Sequence, residues 1–246
     1  MGSRYFLLNF LPPLSLDRLA EISLDEVMFY TQLNLSAREM QAVNVLHMYY
    51  DIENTISHLS GIPMRSIGSL PHEILREKIE DEELDLPGVQ RFFSLYPTRE
   101  KQKEHVHTVY RYFFNELPKT LPKFVRTYFL FEHTSRLLLA WLRAKDLSLP
   151  LTLNTNKIHF DIDKSWPEPY TNLFQLWKNR GLSARKIEEA LMQWRFDAIA
   201  SFCELSPPFS LDFILAYLIR LRIVEAKEEL SDPAHIHALE RTRTER

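Results

Sequence analysis

Glycine is scarce in this sequence, with five in 246 residues. Phosphate-cradling loops and tight hairpins need glycine to reach positive φ or to let backbone approach a ligand closely. Neither GxGxxG nor GxxxxGKS/T occurs, which excludes a nucleotide site of either common type. Cysteine is scarcer still. Cys203 stands alone, so no internal disulfide can form and the chain fits a reducing compartment. A one-signed charge is missing too. The formal net charge is −3 and both signs alternate along the chain, which argues against a dedicated nucleic-acid surface. Long apolar runs are absent: the one inside "LDFILAYLIRLRIVEAKEEL" spans seven residues, Phe213 to Ile219, against about twenty for a bilayer-crossing helix. The early run "YFLLNFLPPLSLD" is interrupted by Asn9, Pro12 and Pro13, and no small-residue cleavage pattern follows it. This argues against a secretory leader.

What is present is the material of helices. Leu, Glu, Arg and Lys abound while glycine does not, and an apolar fraction of 45% is ordinary for a folded chain. Ser36 and Glu39 have capping-box spacing, Leu35 and Met40 can close a hydrophobic staple, and Gly61 with Pro63 gives a stop. Between them Met40, Val43, Leu46, Tyr50, Ile56 and Leu59 recur near helical period, predicting a helix of about 25 residues. A shorter helix starts at Pro71 and runs into an acidic, solvated patch, Glu80 to Asp85. One helix is expected over "PTREKQKEHVHTVYRYFFNELPK". A long one is expected from near Pro122 to before Pro150, with Phe124, Tyr128, Phe131, Ser135, Leu138 and Leu142 inward and Arg126, Arg136, Arg143 and Lys145 wet.

From about Leu151 to Pro169 the pattern lapses, and "TLNTNKIHFDID" reads equally as a short strand or an ordered loop. A helix over about Pro169 to Asn179, ended by Gly181, follows. Another is capped by Ser183 and runs to about Glu204. The apolar-to-charged stretch is capped by Ser210, and a short helix starts at Asp232-Pro233. The sum is one all-α domain over 1–246, with eight to ten helices arranged as a funnel or bundle array.

Reactive chemistry finds little support. His105 with His107 and His235 with His237 lie two apart in helical segments and so point to different sides, where a shared metal needs i, i+4 spacing. Cys203 sits in apolar "IASFCEL", the setting of an inert packed thiol. Glu188-Glu189 and Glu228-Glu229 are adjacent on helices and cannot face each other across a substrate. No catalytic residue, cofactor or metal is assigned, and the expectation is a non-enzyme.

Three segments share a loose design, a long helix with a polar pair in its second half followed by a stop: "YYDIENTISHLSGIP", "LFEHTSRLLLAWLRAKDLSLP" and "AYLIRLRIVEAKEELSDP". Aligning Asp51, Glu132 and Arg222 divides the chain into units near 15–97, 98–165 and 166–246. Asp51-Ile-Glu-Asn54 and Glu132-His-Thr-Ser135, the latter followed by a run through Arg143, resemble a signature of V/A-type ATPases. It is the acidic-x-x-Asn and aliphatic-Arg pattern of their C-type rotor component, known as d in the eukaryotic pump. Ser135 stands where Asn is usual, and Arg222 where an acid is usual. The opening "RYFLLNFLPPLSLD" is similar to a bacterial family of unassigned function encoded beside V/A-type ATPase subunits. The resemblance implies a non-catalytic adaptor between the central rotor shaft and the membrane rotor ring. It implies ATPase subunits as partners, a cytoplasmic location peripheral to the membrane, and neither nucleic acid nor a small-molecule substrate. Arg220, Arg222, Lys227, Glu228 and Glu229 are the candidate partner contacts, at a polar rim where solvated side chains are the competing reading. A free-standing helical interaction scaffold is the alternative.

Overall fold

The computed structural model describes residues 2–65, 68–146, 148, 169–178, 184–204 and 206–231. Among them are eleven helices and no strand: α1 (Gly2–Phe10), α2 (Leu24–Asn34), α3 (Ala37–Leu59), α4 (His72–Glu80), α5 (Val89–Leu95), α6 (Arg99–His105), α7 (Thr108–Glu116), α8 (Lys123–Asp146), α9 (Tyr170–Lys178), α10 (Ala184–Ser201) and α11 (Leu211–Ser231). The fold is all-α, and the described residues alone hold one helix more than the upper expectation.

The expected capping box at α3 is complete. Ser36 Oγ accepts from the Glu39 amide, and Glu39 Oε2 accepts from the Ser36 amide at 2.8 Å. Arg4 on α1 adds an ion pair to Glu39 at 2.8 Å, fixing α1 against the start of α3. The same device starts α2 with Ser23 and Glu26, although apolar periodicity alone does not mark that helix. The segment expected as one helix over 97–119 is two. Val106 and His107 turn the chain between α6 and α7, and the Thr108 hydroxyl takes the freed His105 carbonyl at 2.8 Å.

α5 also lacks a sequence marker, because its position depends on Gly88. That residue has φ +79, its amide donates to Glu116 Oε2 at 2.8 Å, and an added Cβ would lie 2.5 Å from the Phe113 amide nitrogen. Only a glycine lets α5 approach the backbone of α7 this closely.

Tyr49 of α3 centres the core. Its ring lies 5.5 to 6.2 Å from those of Tyr110, Phe113, Phe114, Tyr128 and Phe129 on α7 and α8, in the tilted and edge-on geometries aromatic quadrupoles favour. The predicted inward stripe of α8, Phe124 through Leu142, is buried at every position. α11 packs its apolar face on α10, with Ile214, Leu215 and Leu221 fully buried. It also holds the N-terminal segment. Tyr217 Oη donates to the Pro12 carbonyl at 3.0 Å and Lys227 Nζ to the Leu16 carbonyl at 2.6 Å. The carboxylates of Glu228 and Glu225 accept the Ala20 and Leu24 amides at 2.9 and 2.8 Å.

The possible strand at 151–168, the Gly181 stop, the Ser183 cap and the helix from Asp232 lie outside the described residues. So do His235, His237 and the boundary between the second and third proposed units. Ser210 does precede α11, but its hydroxyl is buried with no hydrogen-bond partner, so it supplies no side-chain cap.

Candidate functional site

Where α3, α8, α10 and α11 meet, they leave a half-open cavity of about 380 Å³. One face of each helix supplies it at helical spacing: Tyr49, Tyr50 and Glu53 from α3; Tyr128, Glu132, Arg136 and Arg143 from α8; Glu188, Leu191, Met192 and Arg195 from α10; Ile219, Arg222, Ile223 and Ala226 from α11. Arg65 and Tyr110 complete its polar lining. Among the described lining residues five arginines therefore meet three glutamates, an excess of two positive charges.

Arg136 is the centre of this arrangement and not a wet side chain. Its guanidinium lies 2.6 Å from Glu53 Oε1 and 3.6 Å from Glu132 Oε2. It also donates to Tyr49 Oη at 2.5 Å and covers the Tyr110 ring at 4.1 Å. Arg195 Nε approaches Glu132 Oε1 at 3.6 Å, too far for a hydrogen bond, and is buried without one. Arg222 is 5% exposed and faces the Tyr50 ring at 5.8 Å.

Burial works to raise the Glu53 carboxyl. The guanidiniums of Arg136, Arg65, Arg222 and Arg195 outweigh it and hold Glu53 below the ordinary carboxylate value. Desolvation likewise works against the charge of Arg136, and Tyr49, Tyr110, Glu53 and Glu132 more than offset it. Burial raises the phenols of Tyr49, Tyr50, Tyr110 and Tyr128 above their usual value, so they stay protonated. The Glu53 carboxylate, the Arg136 guanidinium and the neutral phenols together make a site that binds by charge and hydrogen bond.

Asp51 and Asn54, singled out from the sequence, face away from this cavity. Asp51 is fully buried and its carboxylate accepts the Ser69 amide at 3.0 Å and the Leu70 amide at 3.4 Å, with the Ser69 hydroxyl donating as well. Asn54 Oδ1 accepts the Arg65 amide at 2.9 Å. Three apart on one face of α3, the pair ties the returning loop to the helix and thereby places Arg65. An added Cβ on Gly68 would collide with Asp51 Oδ1, so the loop sits directly on this carboxylate. The α3 side chain that joins Glu132 and Arg222 is Glu53, two residues beyond the aligned Asp51. Ser135 is buried with its hydroxyl on the Phe131 carbonyl at 2.6 Å, and Arg143 is exposed at the cavity mouth.

The candidate contacts on α11 are engaged within the chain. Arg222 lines the cavity, and Lys227 and Glu228, both half-buried, hold residues 16 and 20. Arg220 is half-buried over the Phe196 ring at 3.9 Å, and the side chain of Glu229 lies outside the described residues. Among the described residues no group of three or more His, Cys, Asp or Glu is placed to hold a metal. His105 stacks on Tyr96 at 4.4 Å and lies 6.4 Å from the His107 ring. Cys203 is buried, and burial pushes its thiol up to about 11.

The sequence does not announce the cavity, because charged residues at helical spacing read as solvated faces. The usable signal is a second, polar stripe on a helix that already has an apolar one. On α8 Tyr128, Glu132 and Arg136 repeat at i, i+4 beside Phe131, Leu138 and Leu142.

The family described as "Protein of unknown function (DUF2764)" matches residues 1–234. An uncharacterized protein of Chlamydia pneumoniae is 24% identical over 225 residues, covering 82% of this chain and 84% of the relative. An uncharacterized protein of Chlamydia trachomatis serovar D is 28% identical over 162 residues, 61% of this chain. One of Chlamydia muridarum is 27% identical over 161 residues, again 61% of this chain. The matches span 60% of the length of the C. trachomatis and C. muridarum relatives. No solved structure matches.

Proposed function

The chain belongs to the DUF2764 family, and on that premise we propose that it is a non-catalytic adaptor of a V/A-type ATPase, of the C/d kind, coupling the central shaft to the membrane rotor ring. One observation carries this reading. Three long helices, α3, α8 and α11, one from each proposed unit, deliver Glu53, Glu132 and Arg222 to a single central cavity. That convergence supports three related units packed about an axis, the organisation implied by the resemblance of the acidic-x-x-Asn and aliphatic-Arg segments. A torque-transmitting part needs stiffness, and long close-packed helices with a bonded charge network at their centre provide it. Its partners would be the shaft and ring proteins, and its place the cytoplasmic side of the membrane, held there by the complex. Among the described residues no helix is long and apolar enough to cross a bilayer.

The central cavity is not the seat for a shaft. One turn of helix, 5.4 Å long and about 10 Å wide, occupies about 400 Å³, roughly the whole of this space. Coupling would therefore use outer faces. The test is purification of tagged protein from native membranes in mild detergent. Recovery of other ATPase subunits supports the adaptor; recovery of the protein alone, with intact ATPase in the same extract, refutes it.

A second reading, a free-standing helical scaffold, is favoured by one feature. Phe6, Phe10 and Phe29 of α1 and α2 are 45 to 61% exposed, and with Tyr30 they form a continuous aromatic surface, of the kind that marks protein contacts. Gene neighbours encoding ATPase catalytic subunits favour the adaptor, and unrelated neighbours the scaffold.

A further inference from the structure

We propose that the central cavity binds a small doubly negative oxyanion, a phosphate ester or a dicarboxylate, independently of any role in a rotary complex. Two observations and the chemistry of the guanidinium group carry this. The lining holds two more guanidiniums than carboxylates, and a cavity flanked by packed helices screens like charges far less than bulk water does. That excess of guanidiniums at the lining favours a bound anion. Arg195 Nε is buried and ion-paired to Glu132 at 3.6 Å without a hydrogen bond, so its N–H remains a donor with nothing to accept it. Guanidinium groups present paired donors that match the spacing of carboxylate and phosphate oxygens.

The other walls complete the site. Tyr110 and Tyr128 add phenols that remain protonated, while Leu191 and Ile223 form an apolar wall against which the body of the ligand would lie. A volume of about 380 Å³ falls within the range of small-ligand pockets. Arg143 at the exposed mouth gives the anion its first contact, and Glu188 on the facing helix opposes it.

The test is calorimetric titration of the full chain at low ionic strength with glycerol 3-phosphate in one arm and succinate in the other. Binding in either arm identifies the oxyanion. Arg143→Gln should weaken it about tenfold, the worth of one charge-assisted hydrogen bond. Glu188→Gln removes a negative charge from the lining and should tighten binding, a gain that no folding defect can imitate. Absence of heat in both arms into the millimolar range overturns the site. So does binding that neither substitution alters, because the anion would then be held elsewhere.

Discussion

Replacing Arg136 with methionine removes the cation that Glu53 and Glu132 share while keeping the aliphatic stem. The two carboxylates lie 2.6 and 3.6 Å from the guanidinium, and Glu132 is only 5% exposed. Breaking a buried pair by removing one partner costs about 3–5 kcal/mol. Arg136 and Glu53 keep 28% and 26% of their side-chain exposure, and water in the half-open cavity lowers the expected loss to about 2–3 kcal/mol. For a chain of this size each kcal/mol moves Tm by about 2–4 °C, so a fall of about 4–12 °C is expected. Thermal and urea unfolding followed by circular dichroism would measure it. Glu53→Gln in the Arg136→Met background should cost far less than Glu53→Gln alone, because the carboxylate has already lost its nearest cation. A Tm within about 1 °C of wild type, with no coupling between the two positions, would show Arg136 to be an ordinary solvated arginine.

Gly88→Ala should destabilise by more than about 2 kcal/mol, since an added Cβ meets the Tyr112–Phe113 backbone and φ is +79; urea midpoints check this. Glu53 is held below its ordinary value in the fold, so the stability it contributes is fully present above about 4.5 and is lost as pH falls through the lower folded value. The stability difference between wild type and Glu53→Gln should be flat from neutral pH down to that point and shrink below it. The buried thiol of Cys203, pushed up to about 11, should react with a disulfide reagent at neutral pH only on unfolding; prompt labelling of the native chain would contradict its placement.

Helices announced by their own ends were legible. The Ser36/Glu39 box starts α3, Pro71 precedes α4, and the Phe124-to-Leu142 stripe buries as expected. Helices held by tertiary contacts were not. α5 exists where Gly88 lets backbone meet backbone, and α1 and α2 are fastened by residues farther along the chain, Glu39 pairing with Arg4 and Glu225 accepting the Leu24 amide. The same limit hid the cavity. Glu53, Arg195 and Arg222 come from three separate helices, and a charge on a helix has no visible partner until the helices pack. Asp51 drew attention as part of a local motif, and its work is local, holding Ser69 and Leu70.

The most direct test of the adaptor reading is ATP-driven ion transport in membrane vesicles from cells lacking this protein, with catalytic subunits present at normal levels. The account predicts that ATP hydrolysis becomes uncoupled or is lost, that ion uptake disappears, and that re-expression restores it. Vesicles that pump ions at the full rate without the protein would contradict it.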